Sequence, residues 1–187
     1  MCNGANLAYE KKVFHEVGGF SGIDAIASGD DMMLMHKIYK KYPAKVSFLK
    51  AREAIVQTKA QETLTSFFQQ RIRWASKADK YDDKRIFFVL FVVYMFNICL
   101  MIMPFIAAAG NYSVSMGAFQ LSLFNFWLLL LCFKTIIELL FLIPVAIFFN
   151  RLYLLWWFPL MQPFHIVYTV VAGWLGKFGA YQWKGRN

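Results

Sequence analysis

The chain has 187 residues, of which 59% are hydrophobic, 19% aromatic and 17% charged. Because an average soluble domain is about 45–50% apolar and about a quarter charged, this composition excludes an ordinary soluble protein. The same apolar content excludes a disordered chain. The formal net charge is +9. Since no nucleic-acid-binding motif accompanies it, we attribute this charge to contact with anionic lipid headgroups and not to nucleic acid.

The charges are distributed unevenly along the chain. Residues 1–85 contain 15 of the 20 basic residues and 10 of the 11 acidic residues. Residues 86–187 contain the other five basic residues and one acid, Glu138, which is too little to cover a soluble surface. The sequence therefore predicts two domains, a charged one over residues 1–85 and an apolar membrane region over residues 86–187 that ends in a short basic tail.

The charged part contains helical and extended patterns. Apolar residues recur at helical spacing over residues 10–17, 30–42 and 63–77. Short runs at residues 46–49 and 54–58 predict two strands. This mixed content needs more sheet than 85 residues supply. We therefore interpret the charged part as the last portion of a larger α/β domain.

Three apolar runs follow, over residues 86–109, 121–149 and 152–175. Each is long enough for a transmembrane helix, which needs about 20 residues to cross a hydrocarbon core of about 30 Å. The second run contains Lys134 and Glu138, four residues apart and therefore on one helix face. We interpret them as a structural ion pair, and the alternative is a role in a substrate path.

Basic residues predict the orientation of these runs. Four of them precede the first run, namely Lys77, Lys80, Lys84 and Arg85. By the positive-inside rule the first run then starts in the cytoplasm. Three complete crossings, which we expect, would place the basic tail on the opposite face, against that rule. The alternative is that the third run, which contains Pro159 and Pro163, is re-entrant and the tail cytoplasmic.

Three short segments precede the first apolar run. They are GANLAY at residues 4–9 with VGGF at residues 17–20, SGDD at residues 28–31, and QQRIRW at residues 69–74. Each alone has a simple explanation. The acidic pair could cap a helix, the glycine pair could form a turn, and the arginines could lie on a solvated face or anchor the chain at a membrane surface.

In this order, and just before membrane runs, the segments resemble the inverting family-2 glycosyltransferases, the membrane enzymes that include cellulose, chitin and hyaluronan synthases. GANLAY and VGGF resemble the acceptor-side segment of that family, SGDD resembles its acidic pair, and residues 70–74 match its Q-x-x-R-W signature in full. Residues 183–186 also resemble the end of bacterial members. The resemblance covers nearly the whole chain. It implies a partial GT-A-like α/β catalytic domain on the cytoplasmic side, followed by a multi-pass region of about three transmembrane helices in the cell inner (plasma) membrane.

The resemblance makes the acidic pair catalytic. Asp31 would be the base that takes the proton of the acceptor hydroxyl as the new bond forms. Asp30 would position Asp31 or tune its pKa, because like charges close together raise one pKa.

The resemblance also assigns substrate-binding residues. Gln70 and Arg73 would contact the donor diphosphate, for which a planar, bidentate guanidinium is suited. Trp74 would stack under the acceptor sugar, and Gly4 and Asn6 would bind on the acceptor side. Arg71 is expected on a different helix face, where it is structural or faces lipid.

The sequence departs from the family in one respect. The family's nucleotide-binding half, with an Asp-x-Asp metal motif, comes before GANLAY, whereas three residues precede Gly4 here and no acidic-x-acidic triplet lies upstream. We therefore expect a C-terminal fragment that is inactive alone. A divalent cation, Mg or Mn, is expected only in the full-length enzyme, and no metal ligand is predicted in this chain.

The predicted function is transfer of a sugar, of hexosyltransferase type, from a nucleotide-sugar donor to a lipid-linked or polysaccharide acceptor in polysaccharide biosynthesis of the cell envelope. The alternative is a non-enzymatic integral membrane scaffold or transport subunit. The intramembrane charge pair and the missing donor half favour that alternative.

Overall fold

The computed structural model describes residues 4–23, 29–76, 84–117 and 119–179. The chain divides into two compact units, which are considered separately: a polar unit, Met1–Lys84 with Leu175–Asn187, and an apolar unit, Arg85–Trp174. Several predicted features lie outside the described residues. They are Ser28 of the acidic segment, Lys77 and Lys80 before the first apolar run, and residues 183–186 of the tail.

The polar unit is helical where the sequence predicts helices. The helices are α1 (Lys11–Glu16), α2 (Asp30–Lys41) and α3 (Leu64–Ala75), with single 3-10 turns at Gly4–Asn6, Pro43–Lys45 and Arg52–Ala54. After α1 the chain reverses through Gly18 and Gly19, whose φ angles are 74° and 51°. A Cβ at Gly19 would lie 2.8 Å from the ring of Phe14, so only glycine fits there.

The prediction of two strands in the polar unit is wrong. The backbone is extended at Val46 (φ −96°, ψ 120°) and Ile55 (φ −70°, ψ 116°), but a 3-10 turn at Arg52–Ala54 separates the two segments. A strand is stabilised by hydrogen bonds to a neighbouring strand, and the described residues of this unit provide no such neighbour. The α/β content expected from the sequence is therefore not present in the described part of the polar unit.

The end of α2 is tied to α1 by polar contacts. The hydroxyl of Tyr42 donates a hydrogen bond to a carboxylate oxygen of Glu16, and Lys41 Nζ lies 3.5 Å from the same oxygen. Lys37 Nζ donates to the carbonyls of Gly19 (2.7 Å) and Ser21 (2.9 Å). The hydrogen bond from Tyr42 lowers the pKa of Glu16 below its ordinary value, and the same bond raises the pKa of Tyr42. These contacts fix the turn after α1, as far as Ser21.

Replacing Tyr42 with Phe should raise the pKa of Glu16 toward that of a free glutamate. In the wild-type protein the lowered pKa of Glu16 contributes stability above the ordinary carboxyl pKa, and this contribution is lost as the pH falls through the folded-state pKa. The raised pKa of Tyr42 contributes stability that is lost only as the pH rises above the ordinary tyrosine range. A carboxyl-carbon NMR titration of Glu16 in detergent measures the shift. Tyr39→Phe, at an exposed tyrosine of the same helix, is the control, and equal titration curves for the two variants would contradict the assignment.

The apolar unit contains two long helices joined by a hairpin. They are α4 (Lys84–Ala109) and α5 (Leu123–Phe148), with strands β1 (Ser113–Met116) and β2 (Phe119–Ser122) between them. The strands are antiparallel, with Ser113 opposite Ser122. The indole nitrogen of Trp127 donates to the carbonyl of Leu100 at 2.8 Å and links α5 to α4.

Among the described residues, α4 and α5 are the two helices that are long and apolar enough to cross a membrane, by length and composition. Each has 26 residues, or about 39 Å at 1.5 Å per residue. Of the most apolar stretch of each helix, only 11% is buried in α4 and 6% in α5, whereas the core helices of a soluble protein are mostly buried. The first two predicted runs thus correspond to helices, although residues 121–122 belong to β2.

The third predicted run is not one helix, so a third transmembrane helix over residues 152–175 is not confirmed. The run consists of a 3-10 helix at Leu152–Trp157, a turn, and α6 at Gln162–Phe178. Pro163 is the second residue of α6, where its missing N–H and fixed φ are compatible with a helix start. The 17 residues of α6 span about 25 Å, less than the hydrocarbon core.

A polar network joins α5 to the start of α6. Lys134 Nζ donates to Glu138 Oε2 (2.9 Å) and to Gln162 Oε1 (2.7 Å), and it lies 3.5 Å from His165 Nδ1. Gln162 Nε2 donates to Glu138 Oε2 at 2.6 Å. Lys134 and Gln162 are buried. The predicted ion pair therefore forms, and it is extended by two side chains of α6.

Replacing Lys134 with Met should destabilise the protein by about 3 kcal/mol, because it leaves the Glu138 carboxylate without its cation in apolar surroundings. The double variant Lys134→Met/Glu138→Leu removes both charges and should recover part of that loss. Thermal unfolding of the detergent-solubilised protein measures both effects. The single variant Glu138→Leu completes the comparison, and a double variant destabilised by the sum of the two single effects would show that the pair makes no coupled contribution.

Candidate functional site

The acidic pair begins helix α2. Gly29 precedes it in a left-handed conformation (φ 93°, ψ 12°), and Asp30 and Asp31 are the first two residues of the helix. Asp31 Oδ1 accepts a hydrogen bond from the amide of Met32 at 2.8 Å, and Asp31 Oδ2 accepts one from the amide of Gly4 at 2.7 Å. Two backbone amides and the positive end of the helix therefore fix the Asp31 carboxylate.

The acidic pair lines a cleft of about 250 Å³ with residues of the first segment. The lining residues are Gly4, Leu7, Tyr9, Phe20, Asp30, Asp31 and Leu34. The first two sequence segments, separated by the described turn after α1, thus meet at one place. Asp30 is exposed and Asp31 half-buried.

An aromatic cluster supports one wall of this cleft. The rings of Tyr9 and Phe14 are stacked with centroids 5.6 Å apart, and Phe20 meets Phe14 edge-on at 5.2 Å. Tyr9 and Phe20 are each about two-fifths exposed. Carboxylates beside aromatic faces suit a ligand that has both hydroxyl groups and apolar C–H surfaces.

Gly4 and Asn6 contribute to the geometry of the cleft through hydrogen bonds. The amide of Gly4 holds Asp31, and the Asn6 side-chain nitrogen donates to the carbonyl of Ala54 at 2.8 Å. The second bond attaches the Gly4–Asn6 turn to the 3-10 turn at Arg52–Ala54. Both residues therefore position the cleft, and their predicted contacts with substrate stay predictions.

The third segment lies on α3, which starts with a capping box. Thr63 Oγ1 accepts from the amide of Ser66 at 3.1 Å, and Ser66 Oγ accepts from the amide of Thr63 at 3.3 Å. The helix begins at Leu64 and buries Ile72. Three predicted site residues, Gln70, Arg73 and Trp74, follow within its last two turns, with Trp74 about half exposed.

Arg71 has a structural role, one of the two alternatives that the sequence leaves open for it. Its guanidinium carbon lies 4.6 Å from the ring centre of Trp74 and 4.8 Å from that of Phe67. The sequence interpretation placed Arg71 on a different face, but residues three and four apart on a helix are neighbours. Arg71 therefore packs between two aromatic rings and restricts the position of Trp74. That spacing is the signal from which this role could have been found.

The structure brings together only part of the predicted site. The cleft contains Gly4 and the acidic pair, and its lining residues do not include Gln70, Arg73 or Trp74. Sequence reasoning missed the aromatic wall from Tyr9 and Phe20, although both residues lie within the quoted segments. It also missed the amide of Gly4, because a backbone donor leaves no signal in residue type.

The described residues do not fit a metal site. Among them, no three His, Cys, Asp or Glu side chains lie close enough to hold an ion. In addition, both oxygens of Asp31 accept backbone hydrogen bonds.

Replacing Gly4 with Pro removes the amide that donates to Asp31 and should lower stability by on the order of 1 kcal/mol, the net value of a typical hydrogen bond. Gly4→Ala is the matched control, because it retains the amide and its Cβ would lie 3.6 Å from Asp31 Oδ2, an ordinary contact. Thermal unfolding compares the two variants. Equal stability of the Pro and Ala variants would show that this hydrogen bond does not hold the cleft together.

Comparison with known proteins identifies the family. The family model described as glycosyl transferase family group 2 matches residues 1–175. The match includes all three motif segments, the cleft, and both long apolar helices. No curated protein and no solved structure matches the chain significantly. Because the family match covers nearly the whole length, the chain belongs to glycosyl transferase family group 2.

Proposed function

We propose that this chain carries the acceptor side of a membrane-bound, inverting glycosyltransferase. The enzyme transfers a sugar, of hexosyl type, from a nucleotide-sugar donor to a lipid-linked or polysaccharide acceptor. Family membership supports sugar transfer, and with it a donor and an acceptor in general terms. The inverting course and the kind of acceptor rest on the resemblance of the three motif segments to the membrane synthases.

The fixed carboxylate of Asp31 is the observation that carries the proposal. Displacement at an anomeric carbon with inversion needs a base that removes the proton from the attacking hydroxyl. An ionised carboxylate offers about four lone-pair positions, and the two backbone amides use two of them. Asp31 therefore still has acceptor capacity for a hydroxyl in the cleft, while its orientation is set in advance.

Asp30 and the aromatic wall complete the acceptor side. Asp30 is exposed beside Asp31 and is suited to accept hydrogen bonds from other hydroxyls of the acceptor. Tyr9 and Phe20 offer partly exposed rings to the C–H face of a sugar. Gly4 and Asn6 hold this arrangement through their bonds to Asp31 and Ala54.

The residues of α3 are proposed to bind the donor diphosphate and the acceptor. The guanidinium of Arg73 and the amide of Gln70 match the oxygens of a diphosphate, and positive charge there stabilises the leaving group. Trp74 presents a half-exposed ring for stacking on a sugar. The contacts of Arg71 with Trp74 and Phe67 would hold that ring in place.

A divalent cation, Mg or Mn, is proposed to help bind the donor. Its ligands would come from outside the described residues, since these do not form a metal site. We expect turnover only when a donor-binding, cation-holding part accompanies these residues. Measurable turnover of a nucleotide sugar by residues 1–187 alone would contradict this expectation.

The proposed location is the plasma membrane, with the polar unit in the cytoplasm. The large apolar side chains exposed along α4 and α5 are far more extensive than the patches that soluble monomers leave uncovered. A helix satisfies its own backbone polar groups and is therefore compatible with lipid. Lys84 and Arg85 at the start of α4 favour a cytoplasmic beginning.

Replacing Asp31 with Asn should lower kcat by about 10²–10⁴-fold, the usual contribution of a general base, with a smaller change in the KM for the donor. The measurement is sugar transfer in membranes from cells that express the complete natural reading frame. Glu62→Gln, at an exposed carboxylate outside the cleft, is the matched control and should retain wild-type activity.

Thermal stability is recorded for each variant, because Asn offers one acceptor oxygen where Asp31 uses two. A stable Asp31→Asn variant with wild-type kcat would remove Asp31 as the base. No transfer by the wild-type protein would instead favour the alternative of a non-enzymatic membrane scaffold or transport subunit.

A further inference from the structure

The third apolar run contains an exposed aromatic segment that does not form part of a long helix. The segment is Leu152–Met161, and its largest exposed side chains are Trp156 (85% exposed) and Trp157 (62%). Arg151 precedes it, with one guanidinium nitrogen donating to the hydroxyl of Tyr153 at 3.0 Å. Tryptophan, tyrosine and arginine together are typical of the boundary between headgroups and acyl chains.

The polar network determines where α6 begins. Gln162, its first residue, is bonded to Lys134 and Glu138 of α5. These two residues lie 14 and 10 positions before the end of α5 at Phe148, or about 21 and 15 Å along the helix. Helix α6 therefore begins beside the middle of α5 and not beside either of its ends. A helix that starts at this depth has about half of a hydrocarbon core left to cross.

The packing of α6 shows which way it runs. Its last turn belongs to the polar unit, where a Cβ at Gly176 would lie 2.8 Å from the Cβ of Ala75 and 2.9 Å from the carbonyl oxygen of Ile72. Ala75 is the last residue of α3, and eight residues, 76–83, connect it to the start of α4. The end of α6 thus packs on the helix that precedes the first apolar helix.

We propose that residues 151–178 form a re-entrant segment seated in the lipid interface on the face where α4 begins. The chain then crosses the bilayer twice, by α4 and α5. Leu152–Met161 descends from the headgroup region with its aromatic side chains in lipid, and α6 returns from the middle of the bilayer to the same face. The partner of this surface is a bilayer that contains anionic phospholipids.

The charges of the chain agree with this topology. Arg151 and Lys177, at the two ends of the segment, lie on the same face as Lys84 and Arg85, where anionic headgroups attract them. The hairpin between α4 and α5, with no Lys or Arg from Gly110 to Ser122, lies alone on the opposite face. The conflict between three crossings and the positive-inside rule therefore disappears.

The test is the sidedness of single cysteines. Cys2, Cys99 and Cys132 are replaced with Ser, and one cysteine is introduced by Lys84→Cys, Ser115→Cys or Asn187→Cys. An impermeant maleimide is then added to sealed right-side-out and inverted vesicles. We expect Asn187→Cys and Lys84→Cys to react from one side and Ser115→Cys from the other. Reaction of Asn187→Cys from the same side as Ser115→Cys would show three crossings and overturn the proposal.

This topology presupposes the membrane location proposed above, and the two can fail separately. Release of the protein from membranes by alkaline carbonate would overturn both the location and the topology. Retention in the membrane with Asn187→Cys on the side of Ser115→Cys would overturn the topology alone. Sugar transfer, measured with the same cysteine substitutions made in the complete natural reading frame, reports on the enzymatic function independently of either result.

Quenching by brominated lipids tests the depth of the aromatic segment. Bromines near the headgroup should quench the tryptophan fluorescence of the wild-type protein more strongly than bromines deep in the acyl chain. In the double variant Trp156→Phe/Trp157→Phe this difference in quenching should disappear. Trp127→Phe is the control, because its indole is bonded to Leu100 inside the apolar unit. An unchanged quenching difference in the double variant would place the segment away from the interface and overturn the proposal.

Discussion

The shortage of polar side chains after residue 85 is the constraint on which the apolar unit depends. Residues 86–187, 102 in number, contain five basic residues and one acid. These charged side chains are too few to form hydrogen bonds with the backbone or to cover a water-exposed surface. Helices satisfy the backbone internally, and α4 and α5 do so over 26 residues each. The one acid of this unit pairs with Lys134, and both side chains also form hydrogen bonds with Gln162. Neutralisation of a single buried charge therefore also fixes the start of α6.

The polar unit is stabilised differently, because backbone amides and short polar contacts hold a small cleft together. The described residues bury few apolar side chains here, among them Met33, Leu34 and Ile72. The cleft depends instead on the amide of Gly4, the side chain of Asn6 and the lysine-bonded loop after α1. Such contacts contribute little each, so the geometry of the acidic pair depends on several of them at once.

Much of this organisation could be predicted from the sequence, because it is local. Helical periodicity and the carboxylates at a helix start identified α2, and the Q-x-x-R-W signature fell on a helix as expected. The prediction of two strands was wrong because a short run of residues gives no information about whether a neighbouring strand is present at Val46 or Ile55. The expectation of a third crossing was not confirmed. Run length and hydropathy contain no information about the hydrogen bond between Lys134 and Gln162, 28 residues apart, which determines where α6 begins.

Two glycines that prediction missed, Gly4 and Gly176, act through the backbone and through partners distant in sequence. The Gly4 amide reaches Asp31 across 27 residues, and no side-chain pattern records it. Gly176 acts by lacking a side chain, which allows α6 to approach the carbonyl of Ile72. Because Ile72 lies within the motif between Gln70 and Trp74, the close contact of α6 restrains the helix that carries the proposed donor-binding residues.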